Sequence, residues 1–128
     1  MKSKSRNPRP TPAELDILNV LWTQGPSTVR DVHERVSGGR DGYTNTLKLL
    51  QIMHAKGLVE RDESQRAHVY TAAIRKSDTQ REMLGDLVRR VFDGSREQLV
   101  MQALGSGRTS AEELARIRAL LDELEKKQ

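Results

Sequence analysis

The chain has no cysteine, so disulfides, thiolate metal sites and thiol redox switches are excluded. Aromatic residues are scarce: Trp22, Tyr43, Tyr70 and Phe92 are the whole set, and hydrophobic residues make up only 35% of the 128. A core built from so little is thin, and part of the apolar surface is expected to be buried against a second copy of the chain. No run of about 18 apolar residues occurs, so no membrane insertion is expected. The basic N-terminus has no apolar stretch behind it and does not read as a secretory signal; the expected location is the cytoplasm. Clusters that carry chemistry are missing as well. His33, His54 and His68 fall on separate elements and read as single surface histidines rather than metal ligands. Nothing marks out a nucleophile, and Asp62-Glu63 and Glu112-Glu113 read as a turn and a solvated helix face. No catalysis, cofactor or metal is therefore expected.

What the chain does have is positive charge. The net charge is +4 and the pI is about 9.7. Residues 1–12 carry Lys2, Lys4, Arg6 and Arg9 and no acid, whereas 107–128 balance five bases with five acids. That asymmetry suits a chain whose one end meets a polyanion and whose other end meets protein; a solvated basic tail is the plainer alternative.

Residues 1–10, with Pro8 and Pro10 and no apolar periodicity, are expected to form a flexible arm. Thr11-Pro12-Ala13-Glu14 supplies a cap, a first-turn proline and the reciprocal glutamate of a capping box. Leu15, Leu18, Leu21 and Trp22 follow at helical spacing until Gln24-Gly25-Pro26. A second helix is expected from Ser27 or Thr28, with Val29, Val32 and Val36 inward, until Ser37-Gly38-Gly39. The glycines of 38–42 read as a helix-to-helix connection rather than a phosphate loop, because no strand precedes them and no Lys-Ser/Thr pair follows. Thr44 is expected to open a third helix ending at Lys56-Gly57, with Leu49, Leu50 and Met53 buried. Two alternating runs, 58–62 and 67–71, then flank Glu63-Ser64-Gln65-Arg66 as a β-hairpin.

Three helices and a hairpin in this order make a winged helix-turn-helix, assigned to residues 11–75. From 76 to 128 the pattern is helical again. Leu84, Leu87, Val88, Val91 and Phe92 form one stripe. Leu99, Val100, Ala103 and Leu104 form a second, and Leu114, Ile117, Leu121 and Leu124, behind a cap at Ser110 or Thr109, form a coiled-coil-like seam. With no large partner left in the chain, these three helices are assigned to dimerisation. The expected fold is mostly α with a small β-hairpin wing (α+β).

This arrangement nominates DNA contacts. With the apolar side of the third helix inward, Thr44, Asn45, Lys48 and Ile52 face outward, where they can reach phosphates, base edges or a thymine methyl in the major groove. Thr28 can offer its hydroxyl and backbone N–H to a phosphate. Arg61, Arg66 and His68 place donors on the wing, with Arg66 at its tip, and Arg9 and the other cations of the arm add backbone or minor-groove contacts. Three readings follow: a dimeric repressor on double-stranded operator DNA, a ligand-sensing winged-helix regulator, and a winged-helix module for protein interaction.

The segment from Tyr43 to Arg61, then Arg66-Ala67-His68-Val69-Tyr70, Val91-Phe92-Asp93-Gly94-Ser95, Leu99-Val100 and Ser110-Ala111-Glu112-Glu113-Leu114, resembles the BlaI/MecI/CopY penicillinase-repressor family over residues 8–125. The resemblance implies a homodimeric repressor on a dyad operator of a resistance or stress-response promoter. It also implies induction by a membrane sensor protease, or a protease downstream of it, cutting an Asn-Phe bond in the C-terminal half. Gln102-Ala103 occupies the corresponding place as the candidate cleavage region, with Gln-Ala where the proteolysed members have Asn-Phe. The copper-sensing branch uses C-terminal cysteine pairs, which this chain lacks. Asn45 stands where many relatives have threonine.

Overall fold

The computed structural model describes residues 9–37 and 42–128. In chain order the elements are α1 (Pro12–Gln24), β1 (Ser27–Thr28), α2 (Val29–Ser37), α3 (Tyr43–Lys56), β2 (Val59–Asp62), β3 (Val69–Ala72), α4 (Lys76–Arg90), α5 (Arg96–Gly105) and α6 (Ala111–Lys126). Lys2, Lys4, Arg6 and the glycine connection 38–41 lie outside the described residues. Arg9 and Pro10 lead non-helically into α1.

The signals read from sequence set most helix ends. At α1 the Thr11 hydroxyl accepts from the Glu14 N–H at 3.2 Å, and the Glu14 carboxylate accepts from the Thr11 N–H at 2.9 Å. Ser110 and Glu113 do the same at α6. α3 ends at Gly57, whose φ of 84° lies in the left-handed region that favours glycine. α4 ends at Arg90, two residues short of the expected stripe. Beyond it Asp93 and Gly94 take φ of 55° and 81°, and the Gly94 N–H closes on the Val88 carbonyl at 2.8 Å.

Three expectations need correction. First, the sheet has three antiparallel strands in the order β1-β3-β2 rather than two. Ser27 pairs with Tyr70 and Thr28 with Val69, so Ser27 and Thr28 are extended and α2 begins at Val29; a two-residue strand is too short to display alternation. Second, α3 begins at Tyr43 behind Gly42, without a side-chain cap, not at Thr44. Third, His33 is buried rather than on the surface.

The chain divides into two compact units between Met83 and Leu84, inside α4. The first unit holds the core. Ile17, Leu18 and Leu21 of α1 pack with Val29 and Val32 of α2, Leu50 and Met53 of α3, Leu58, Val59, Tyr70 and Ile74. Leu49 and Val36 are only half-buried, and Thr46 takes the inward place that Leu49 was expected to fill. The indole N–H of Trp22 donates to the Ile74 carbonyl at 3.0 Å, pinning the segment after the sheet to α1. The Lys56 ammonium meets the Glu14 carboxylate at 2.8 Å, joining the last turn of α3 to the first turn of α1. In the second unit α5 and α6 have no buried residue. Leu84, Leu87, Val91, Leu121 and Leu124 are exposed, and Val88, Phe92, Leu99, Leu114 and Ile117 are half-buried.

Candidate nucleic-acid interface

The helix-turn-helix is braced from inside. His33 on α2 meets the Thr46 hydroxyl on α3 through Nδ1 at 3.0 Å, and its ring sits edge-on to Tyr43 with centroids 5.9 Å apart. Two helices joined by a buried polar bond and a ring contact hold one crossing geometry. That leaves the outer side of α3 as a fixed surface.

With Thr46, Leu50 and Met53 inward, a helix advancing about 100° per residue puts Thr44, Lys48, Gln51 and Ala55 on the opposite stripe, and all four are exposed. Ile52 is exposed on one flank of that stripe. Asn45 is exposed further round and lines a small cleft with Ala13, Asp16 and Leu49, toward α1. Gln51 was not singled out from sequence, although its spacing of three from Lys48 and seven from Thr44 was the signal. Glutamine has the length and the paired donor and acceptor to read adenine.

The start of α3 differs from that of every other helix. α1, α2, α4, α5 and α6 each carry an acid in the first turn, whereas α3 carries none and has no side-chain cap. Its first-turn N–H groups and the positive end of its dipole are therefore not neutralised by its own first turn, as an anion-binding helix start requires.

Thr28 is the cap of α2. Its hydroxyl accepts from the Asp31 N–H and its own N–H donates to the Asp31 carboxylate, both at 3.2 Å. The backbone N–H expected to serve a phosphate is thus engaged, and the hydroxyl proton remains to donate. Beside Thr28 lies a hollow of about 400 Å³ lined by Thr28, Arg30, Tyr43, Arg66 and His68, with Val29, Leu47, Ala67 and Tyr70 completing its walls. It brings the wing residues Arg66 and His68 to the starts of α2 and α3. Arg30 and Tyr43 were also missed from sequence. Arg30 stands in the first turn of α2, where a cation opposes the dipole, as Lys76 and Arg96 do at α4 and α5.

Arg61 is held differently. Its guanidinium bonds the Glu63 carboxylate at 2.6 Å and the hydroxyl of Tyr70, its cross-strand neighbour. The Tyr70 bond first, and then Glu63, keep it charged above the ordinary arginine range. At the turn the Asp62 carboxylate accepts from the Ser64 N–H at 2.9 Å, which lowers its pKa. These contacts fix the base of the wing and leave Arg66 exposed in its loop. Arg9 is exposed at the approach to α1. Among the described residues no group of histidine and carboxylate side chains is gathered to hold a metal ion.

The penicillinase repressor family model matches residues 10–123. The chain is 32% identical over 115 residues to the transcriptional regulator BlaI of Mycobacterium tuberculosis, covering 88% of this chain and 82% of that protein. It is 21% identical to the methicillin resistance regulatory protein MecI of Mammaliicoccus sciuri, covering 86% and 90%. It is 23% identical to the penicillinase repressor of Bacillus licheniformis, covering 91% of each. Among the described residues no helix is long and apolar enough to cross a membrane. A winged helix matched to this family along nearly its whole length has one assignment: the chain belongs to the penicillinase-repressor family, DNA-binding transcriptional repressors without enzymatic activity.

Proposed function

We propose that the chain represses transcription in the cytoplasm as a homodimer, each protomer placing α3 in the major groove of one half of a dyad operator. The carrying observation is the uncapped, acid-free start of α3 behind the exposed stripe of Thr44, Lys48 and Gln51. Lys48 takes a guanine or a phosphate, Gln51 an adenine, and Thr44 a phosphate or a base edge; Ile52 meets a thymine methyl from the flank, and Asn45 a phosphate. Thr28, Arg66 and His68 hold the backbone, with Arg9 beside them, while Arg61 supports the wing from below.

Dimerisation falls to the helices of 76–128. Leu121 is 53% and Val91 66% exposed, an unusual cost for a lone chain, and the seam through Leu114, Ile117, Leu121 and Leu124 has the spacing of helix pairing. Leu84, Leu87, Val88, Phe92 and Leu99 supply the rest of that surface. The names of the relatives, a methicillin resistance regulator and a penicillinase repressor, support a resistance or stress-response promoter as the target. A membrane sensor protease, or one downstream of it, is the proposed inducing partner. Gln102 and Ala103, the proposed cleavage region, are exposed but lie within α5, so cutting there requires that helix to unwind.

Selection from random-sequence duplexes tests the reading. The wild type should enrich two-fold-related half-sites whose centres are about one helical turn, or a multiple of it, apart. Affinity for the selected site should fall steeply with salt, and Lys48→Ala should cost about 1–3 kcal/mol on it. Failure to enrich any duplex, or a flat salt response, overturns the repressor reading.

A further inference from the structure

Resting on the reading of the chain as a duplex binder, we propose that the hollow between the starts of α2 and α3 and the wing loop seats a single backbone phosphate of the bound DNA, shared by Arg30 and Arg66. The hollow, at about 400 Å³, has room for a phosphodiester with its sugar. Its polar lining is Thr28, Arg30, Tyr43, Arg66, His68 and Tyr70: two guanidiniums, three hydroxyls and an imidazole, with no carboxylate among them. The acids nearest in sequence each have a partner already. Asp31 accepts from the Thr28 N–H, and Glu63 is paired with Arg61. Arg30 and Arg66 make no ion pair among the described residues. The lining side chains are therefore net positive, and the anion a duplex supplies is phosphate.

The common lining favours a shared phosphate over two separate ones. Arg30 approaches from the first turn of α2 and Arg66 from the wing, and both line one hollow. A guanidinium fork binds phosphate bidentately, so two forks on one group fill its free oxygens and lock the wing against the helix-turn-helix. Tyr43, the first residue of α3, lines the same hollow. The seated strand is thus the one bordering the groove that α3 enters. An anion there also offsets the unfavourable placing of Arg30 at a helix start.

The test is a salt titration of binding to mixed-sequence duplex DNA by the wild type, Arg30→Gln, Arg66→Gln and the double variant. Both side chains are exposed, so the variants should melt as the wild type does. Each neutralised phosphate contributes about 0.9 to the slope of log affinity against log salt. Each single variant should bind several-fold more weakly with little loss of slope, because the remaining guanidinium still neutralises the phosphate; the double variant should lose about 0.9, not about 1.8. Preference for a selected operator over mixed sequence should be unchanged. Additive slope losses, or Arg30→Gln binding as the wild type does, would overturn the shared seat while leaving the repressor reading intact. A wild type that binds no duplex overturns both.

Discussion

Glu14 is 2% exposed, and burial alone would push its carboxyl toward the neutral form. The Lys56 ammonium, the Thr11 N–H and the Thr11 hydroxyl together outweigh that and hold its pKa below the ordinary 4.5. A carboxyl depressed in the folded chain stabilises it above the unfolded value, and the stabilisation is lost as pH falls through the folded value. Glu14→Gln keeps the amide oxygen needed for the capping box but removes the charge that meets Lys56. In urea melts at pH 7 it should be less stable by about 1–2 kcal/mol, with the gap closing as pH drops below 4.5; a gap constant with pH would remove the ion pair from the account. Only half of this residue was readable in advance. Its role at the cap is local, three residues from Thr11, whereas its partner lies 42 residues away. His33 was misread for the same reason, since its burial depends on Thr46 across the turn and not on its own neighbours.

Among elements, those with chemical punctuation at both ends were legible and those without were not. α1 and α6 carry capping boxes, and Gly57 marks the end of α3 within one residue. β1 carried no signal, because its extended shape is imposed by Tyr70 and Val69 across the sheet. The exposed stripe of α3 was legible as a direction, but it turned from Asn45 and Ile52 toward Gln51 once Thr46, rather than Leu49, proved to be the buried anchor. The turn from α3 into the wing gives an element-scale prediction. A β-carbon at Gly57 would meet nothing within 4 Å, so Gly57→Ala should be disfavoured by backbone conformation alone, about 1 kcal/mol. In a unit this small that is a fall in Tm of about 4–8 °C; an unchanged Tm would mean the left-handed turn relaxes elsewhere.

At the scale of the whole molecule, the amphipathic stripes of the C-terminal helices were visible in sequence, but what covers them was not; the proposed second copy would leave no mark within one chain. Leu121→Asp should convert a sedimenting dimer to a monomer and weaken operator binding, since one protomer contributes half of the contacts. An unchanged sedimentation coefficient would refute the seam. The domain division falls inside a helix, at Met83 and Leu84, where no turn signal exists to be read. One further consequence follows from Trp22. It is the sole indole in the chain, and its bond to the Ile74 carbonyl places it within the first unit. Its emission is therefore an optical gauge of the winged helix alone, whereas far-ultraviolet dichroism sums all six helices, so comparing the two melting curves distinguishes loss of the reading unit from loss of the tail helices without any label.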